Sequence, residues 1–267
     1  MKQGPPRFSA LRQVWRRNWR TVLACAALLL IWQAAALWLK REELPSAWET
    51  LRDVPVILSS GEDVLGILAS LRRMALGFGL GLLVAVPLGL AMGRSKPLAR
   101  LLNPLTALAY PIPKAALMPI IMLWLGIGDL SKVLVIFMGV SLPLLYHSSQ
   151  GAEQVDDKLI WSAQAMGMGQ VARLLRVILP AALPEVMLGC RVAVSIALIT
   201  MISSEMIARQ NGAGNLLFNA MDMAIYTDVY AVILIIAVIG VVLDVLMERL
   251  RVALTHWADT LQPGSTS

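Results

Sequence analysis

From Met74 to Gly93 the chain runs twenty residues without a charged side chain. As an α-helix such a run is about 30 Å long, which matches the hydrocarbon thickness of a bilayer. A second uncharged run covers Thr21–Leu39. Four further apolar segments lie near Leu105–Ile127, Val133–Tyr146, Glu185–Ile202 and Val229–Met247. The 267 residues are 58% hydrophobic and 15% charged, with a mean hydropathy of +0.70. A soluble domain of this size could not enclose that much apolar surface, so lipid must solvate much of it. In lipid, backbone polar groups must be satisfied within the segment. The expectation is an all-α membrane protein with about six transmembrane helices.

The charges arrange themselves around those segments. Residues 1–20 are basic, and residues 21–39 read as a first span rather than a cleaved leader, being too long for a leader's apolar core. Residues 40–73 form an extracytoplasmic segment, 74–247 the core transmembrane domain, and 248–267 a C-terminal tail. With the N-terminus in the cytoplasm, the inner segments hold Arg94, Lys96, Arg100, Lys158, Arg173, Arg176, Arg249 and Arg251. The outer ones hold Glu42, Glu43, Asp53, Glu62, Asp63, Asp129, Glu205, Asp222 and Asp228. The excess of bases inside is the usual orientation signal and puts both termini in the cytoplasm. Arg72 and Arg73 break the pattern and are expected to snorkel from the outer edge of the second span.

Several features exclude other functions. The basic residues flank apolar segments and form no soluble nucleic-acid-binding domain. Cys25 and Cys190 lie in apolar stretches, and His147 and His256 stand apart in sequence, so no disulfide framework or metal site is expected. No GxxxxGK[ST] loop occurs, so the chain does not cradle ATP phosphates by that route. Gly77, Gly79 and Gly81 do not follow a strand, and they read, like Gly89 and Gly93, as close helix packing.

Five charged residues sit in or beside apolar segments: Lys114, Glu185, Arg191, Glu205 and Asp244. A charge at mid-bilayer costs about 2.5 kcal/mol or more on insertion scales. Lys114, Arg191 and Glu205 either line a polar translocation path or serve structural pairs and caps. Arg191 and Asp244 are expected to pair between the fifth and sixth spans. Pro111, Pro113 and Pro119 require the third span to be kinked or broken.

The inner loop at about 147–180 is the most informative. Ala163 to Gly169 is rich in small residues and Met, which lets a helix approach a partner backbone. Val171, Leu174, Leu175 and Ile178 recur near helical spacing beside Arg173 and Arg176, as in a surface amphipathic helix. Pro180 and Pro184 are expected to break the chain before it re-enters the membrane. This loop helix either packs on the bundle or docks a partner.

The order Ala163, Gly167, Leu179, Pro180 resembles the EAA loop of ATP-binding cassette importer permeases. Trp161 stands where that family often has Glu, and Ser162 and Met168 replace commoner alanines. The segments SLRRMALGFGLGLLVAVPLGLAMG, YPIPKAALMPIIMLWLGIGD and ILPAALPEVMLGCRVAV are similar to the branch that imports sulfonates, taurine and nitrate. The resemblance implies a type I importer bundle in the bacterial inner membrane, with Ala163, Gly167, Leu179 and Pro180 in an ATPase-coupling loop. It further implies a second, identical permease copy, a pair of ATPase subunits that bind ATP and Mg, and an extracytoplasmic solute-binding protein. On that reading the chain itself has no cofactor and is not an enzyme. The alternative is a secondary transporter that couples to protons through Glu185, Glu205 or Asp244.

Overall fold

The computed structural model describes the backbone of residues 7–259, and the side chains of Trp19 and residues 23–257. Residues 1–6 of the expected basic N-terminus and 260–267 of the expected C-terminal tail lie outside the described residues. Within them the regular structure is helical: α1 (Arg7–Leu39), α2 (Ala47–Ser59), α3 (Gly61–Arg94), α4 (Lys96–Ala109), α5 (Met118–Leu125), α6 (Asp129–Glu153), α7 (Asp157–Ala165), α8 (Gln170–Arg173), α9 (Leu179–Ala208), α10 (Ala213–Asp222), α11 (Tyr226–Leu254) and α12 (His256–Asp259). Four rods are long and apolar enough to cross a membrane: α3, α6, the run Gln170–Ala208, and α11. The pair α4 and Lys114–Leu125, bent by 82° across the Pro111–Pro113 region, makes a fifth if counted as one broken span. The described apolar part of α1, Leu23–Leu39, lies where the first span is expected.

At the centre α6 is sandwiched between α3 and α9. The α3–α6 contact is close because glycines face it. A Cβ on Gly89 would sit 2.5 Å from the Leu145 carbonyl oxygen and 2.7 Å from the Ser148 Cβ. One turn on, a Cβ on Gly93 would collide with the Ser149 carbonyl. Gly77 and Gly81 approach Ile136 and Val140 in the same way, whereas Gly79 faces open space. The expectation of close packing thus holds for four of these five glycines. A fully buried ladder of Ile136, Val140 and Leu144 runs along this seam.

Several expected boundaries move. The second span begins at Gly61, not Met74, because Ser60 caps α3 by accepting from the Asp63 amide at 3.3 Å. Its acidic first turn, Glu62 and Asp63, sits at the helix N-terminus, where negative charge is favourable, and Arg72 and Arg73 further along are paired. The fourth span extends over the whole of Asp129–Glu153, running through the buried Pro143. The largest change is at the inner loop. His147–Glu153 is the last part of α6, and the chain from Gln170 is already part of the rod that becomes α9. No break occurs at Pro180 or Pro184, and no separate surface helix forms. The turn Leu174–Ile178 is π-helical, and the Leu179 amide donates five residues back to the Leu174 carbonyl. That wider turn makes room for Pro180, whose ring would otherwise press on the preceding turn. Leu179 and Pro180 therefore belong to the spanning rod, and only Gln154–Gly169, containing α7, is an excursion.

Candidate functional site

Three polar constellations punctuate the bundle. The first ties together α3, α6, α9 and α10. Arg73 is 1% exposed and Glu205 is fully buried. The Arg73 guanidinium donates to Glu205 Oε1 at 2.6 Å, to Asp129 Oδ1 at 2.6 Å and to the Asn211 backbone carbonyl at 3.1 Å, and it also bonds the Asn211 side chain. Arg72 pairs with the same Asp129. The Ser70 hydroxyl lies 2.7–2.8 Å from both Glu205 oxygens and accepts from the Ala213 amide at 2.8 Å. The Gly214 amide donates to Glu205 Oε2 at 3.1 Å. Gly212 has φ +130°, and any Cβ there would strike the Glu205 carboxylate. The Gly212-Ala213-Gly214 loop is thus small because it wraps a carboxylate.

This arrangement corrects one expectation. Arg73 does not snorkel; it is locked at the bundle's interior, and Arg72 is held by Asp129. Of the two readings offered for Glu205, the contacts within this chain are those of a structural pair and cap. Lys132, also fully buried, projects close to Arg73, Glu205 and Asp129. Its Nζ has no hydrogen-bond partner among the described residues. Sequence reading missed Lys132 because it sits at the polar edge of an apolar run, where a snorkelling lysine would look the same.

The second constellation joins α9 to α11. Arg191 donates to both Asp244 oxygens at 2.6 and 2.7 Å, and to Glu248 Oε2 at 3.0 Å. Glu248 in turn accepts from Arg251 at 2.8 Å. The sequence placed Arg191 opposite Asp244. The structure joins these two residues, but their side chains are 41% and 42% exposed rather than buried, and Glu248 makes the pair a network. Lys114 lies elsewhere. Its ammonium donates to the carbonyls of Ala109, Tyr110 and Ile112, capping the C-terminal end of α4 and the turn after it at the broken span. The structure does not bring Lys114, Arg191 and Glu205 into one channel.

The third constellation is α7 and its exit turn. The Gly167 amide donates to the Gln164 carbonyl at 2.9 Å, and the Met168 amide to the Ala163 carbonyl at 3.0 Å. These two bonds form a Schellman motif, which needs a left-handed residue just past the helix end. Gly167 supplies it with φ +80°. A Cβ there would meet nothing within 4 Å in this chain, so conformation, not crowding, demands glycine. Ala163 is 2% exposed and fixes the inward face of α7. Outward stand Leu159, Trp161 and Met166, at 53%, 65% and 75% exposure. Arg94 at the end of α3 holds the approach to α7, bonding Asp157 and the carbonyls of Ala152 and Val155. His147, isolated in sequence, bonds Glu185 at 2.7 Å between α6 and α9. No group of three metal-ligating side chains occurs among the described residues.

Comparison with known proteins agrees with this architecture. Residues 77–256 match the family described as binding-protein-dependent transport system inner membrane component. The taurine transport system permease protein TauC of Escherichia coli K12 is 33% identical over 194 residues, covering 73% of this chain and 70% of its own. A permease protein of Bacillus subtilis 168 named for aliphatic sulfonates transport, SsuC, is 29% identical, covering 92% and 91%. The nitrate import permease protein NrtB of a Synechocystis strain is 26% identical, covering 84% and 85%. Among solved structures, the inward-facing MetNI methionine ABC transporter superposes with a TM-score of 0.63 at 18% identity, over 72% of this chain and 95% of that one. The likeness is one of fold, the type I importer permease bundle. A family match over most of the chain, on a multi-span helical bundle, with relatives that are transport permeases, makes this protein a membrane permease subunit of the binding-protein-dependent ABC importers, in the branch of the taurine, sulfonate and nitrate permeases, and not an enzyme.

Proposed function

We propose that this chain forms the translocation path for a small anionic solute, with an alkanesulfonate or taurine first and nitrate behind, and that α7 is the handle through which a separate ATPase moves it. The observation that carries the proposal is α7 itself. It is a short helix set apart from the bundle's spanning rods, locked at its exit by the Gly167 turn, and it exposes Leu159, Trp161 and Met166. Three large apolar side chains held outward on a rigid element suit a protein partner better than water. The chain has no phosphate loop of its own, so the driving nucleotide would bind that partner. A pair of such ATPases, a second copy of this chain and an extracytoplasmic binding protein complete the assembly. The names borne by the relatives, taurine, sulfonate and nitrate, support the solute class.

Nucleotide binding would act by favouring one of two bundle arrangements, since a ligand shifts an equilibrium only by its differential affinity for the two states. The alternative, proton coupling through intramembrane carboxylates, finds little support in the site. Glu205 is held by Arg73 and Ser70, Asp244 by Arg191, and Glu185 by His147. The deciding experiment is uptake of labelled taurine, an alkanesulfonate and nitrate into proteoliposomes containing this chain with its ATPase and loaded binding protein. ATP-dependent uptake that survives collapse of the proton gradient is the expected result. Uptake by the chain alone, driven by a proton gradient and indifferent to ATP, would overturn the proposal.

A further inference from the structure

A cavity of about 760 Å³ in contact with α7 opens where α3 ends and the rod Gln170–Ala208 begins. Its walls are of two kinds. Arg94, Lys96 and Arg173 line one part, and no acidic residue lines any of it. Ile160, Leu174 and Ile178 line another, with smaller apolar residues between. Arg94 is already engaged with Asp157 and the end of α6. The side chains of Lys96 and Arg173 have no hydrogen-bond or ion-pair partner among the described residues.

A cavity at the mouth of two spanning helices with free cations on one side and branched apolar chains on the other fits one chemistry closely. That chemistry is a phosphate monoester or diester joined to hydrocarbon. We infer that this cavity seats the headgroup of an anionic phospholipid, with the phosphate between Lys96 and Arg173 and the first methylenes of an acyl chain against Ile160, Leu174 and Ile178. Basic pockets between membrane helices take such headgroups, and each nearby cation adds attraction. The same cavity touches the element proposed to transmit the ATPase stroke. A lipid seated there bridges the end of α3, the π-helical turn and α7, adding to the Arg94–Asp157 bond that already ties α3 to α7. The inference concerns ligand binding alone and holds whichever solute the transporter carries.

The test is native mass spectrometry of the full-length chain in mild detergent, titrated with phosphatidylglycerol or phosphatidylcholine. The expected result is preferential retention of phosphatidylglycerol by the unmodified chain. The pair Lys96→Gln with Arg173→Gln should weaken retention by about fivefold for each charge removed. Lys96→Arg with Arg173→Lys, which keeps charge and fold, should retain it. Arg100→Gln, an exposed base nearby that does not line the cavity, should leave it unchanged. Equal retention of the two lipids, or an unchanged adduct in the double glutamine variant, overturns the inference. So does displacement of the adduct by millimolar inorganic phosphate, which would mark a free-anion site. Loss of the lipid on assembly with the ATPase subunits would assign the cavity to the protein partner and overturn it equally.

Discussion

Two residues show how far identity alone decides function in this chain. Gly167 is required by its backbone, which sits at φ +80° in a Schellman turn. A left-handed conformation costs an ordinary L-residue about 1–2 kcal/mol, while Asn tolerates it better. Gly167→Ala should therefore loosen α7 and reduce ATP-coupled uptake several-fold, and Gly167→Asn should reduce it less. Hydrogen exchange across Asp157–Gly169 reads the loosening directly, and protection equal to the wild type in the alanine variant would remove the turn from the account. Glu205 is required by its charge. Replacing it with Gln keeps the shape but leaves Arg73 buried with the half-exposed Asp129 as its one carboxylate partner, beside the neutral Asn211. Breaking a buried pair from one side costs about 3–5 kcal/mol. Glu205→Gln should lower the melting temperature and membrane yield markedly, and a variant with normal melting would show that Arg73 finds compensation elsewhere. The sequence flagged both residues without fixing their reasons. Small residues cluster around Gly167 and suggest a close contact, and backbone dihedrals leave no mark in residue type beyond glycine itself. Glu205 stood between a path and a structural pair or cap because its partner Arg73 lies over a hundred residues away, and long-range pairing has no periodic signal.

At the scale of elements, apolar runs reveal that a helix crosses the membrane but not where it stops. Met74 marks where α3 becomes uncharged, whereas the helix starts at its Ser60 cap, with Glu62 and Asp63 at its N-terminus and Arg72 and Arg73 held in ion pairs. Prolines mislead similarly. Pro111 and Pro113 do accompany a sharp bend, but Pro180 and Pro184 ride through a continuous rod because a π-helical turn precedes them. The glycine spacing was more legible, since side-chain size determines interaxial distance directly. Gly89 and Gly79 make a paired test of that rule on one helix. Gly89→Ala must push α3 away from the Leu145 carbonyl, a backbone atom that cannot step aside, and overpacking of this kind costs about 1–3 kcal/mol. Gly79→Ala meets open space and should be neutral, or stabilise by up to about 1 kcal/mol through helix propensity. Thermal unfolding in one detergent compares them. Equal effects from the two substitutions would mean that the α3–α6 seam is looser than the glycines imply.

For the whole molecule, the contacts define two opposite ends. Ser70 and Arg73 of α3 meet Asp129 of α6, Glu205 of α9 and Ala213 of α10 at one end. At the other, Arg94 meets Ala152 and Asp157, and Ile160, Arg173 and Leu174 gather around the same cavity. So α3 and α6 run parallel and α9 runs back between those ends. The second end carries the unpaired bases Lys96 and Arg173, and the first carries Glu62, Asp63 and Asp129. Bases concentrate on the cytoplasmic side because they are retained there during insertion. If that rule sets the orientation, α7 faces the cytoplasm and the Glu205 cluster lies beneath the outer surface, the arrangement that a cytosolic motor and an external binding protein both require. Single cysteines settle it. In a background with Cys25→Ala and Cys190→Ala, Glu43→Cys should react with a membrane-impermeant maleimide in intact spheroplasts, and Gln170→Cys should react only after the membrane is opened. The native Cys190 is buried and its replacement adds a small cavity, so uptake by the background variant is measured first. Labelling of Gln170→Cys from outside would invert the molecule. It would put the α7 handle beyond the reach of any cytosolic ATPase, leaving the bundle without the lever that its exposed Trp161 and Met166 are proposed to provide.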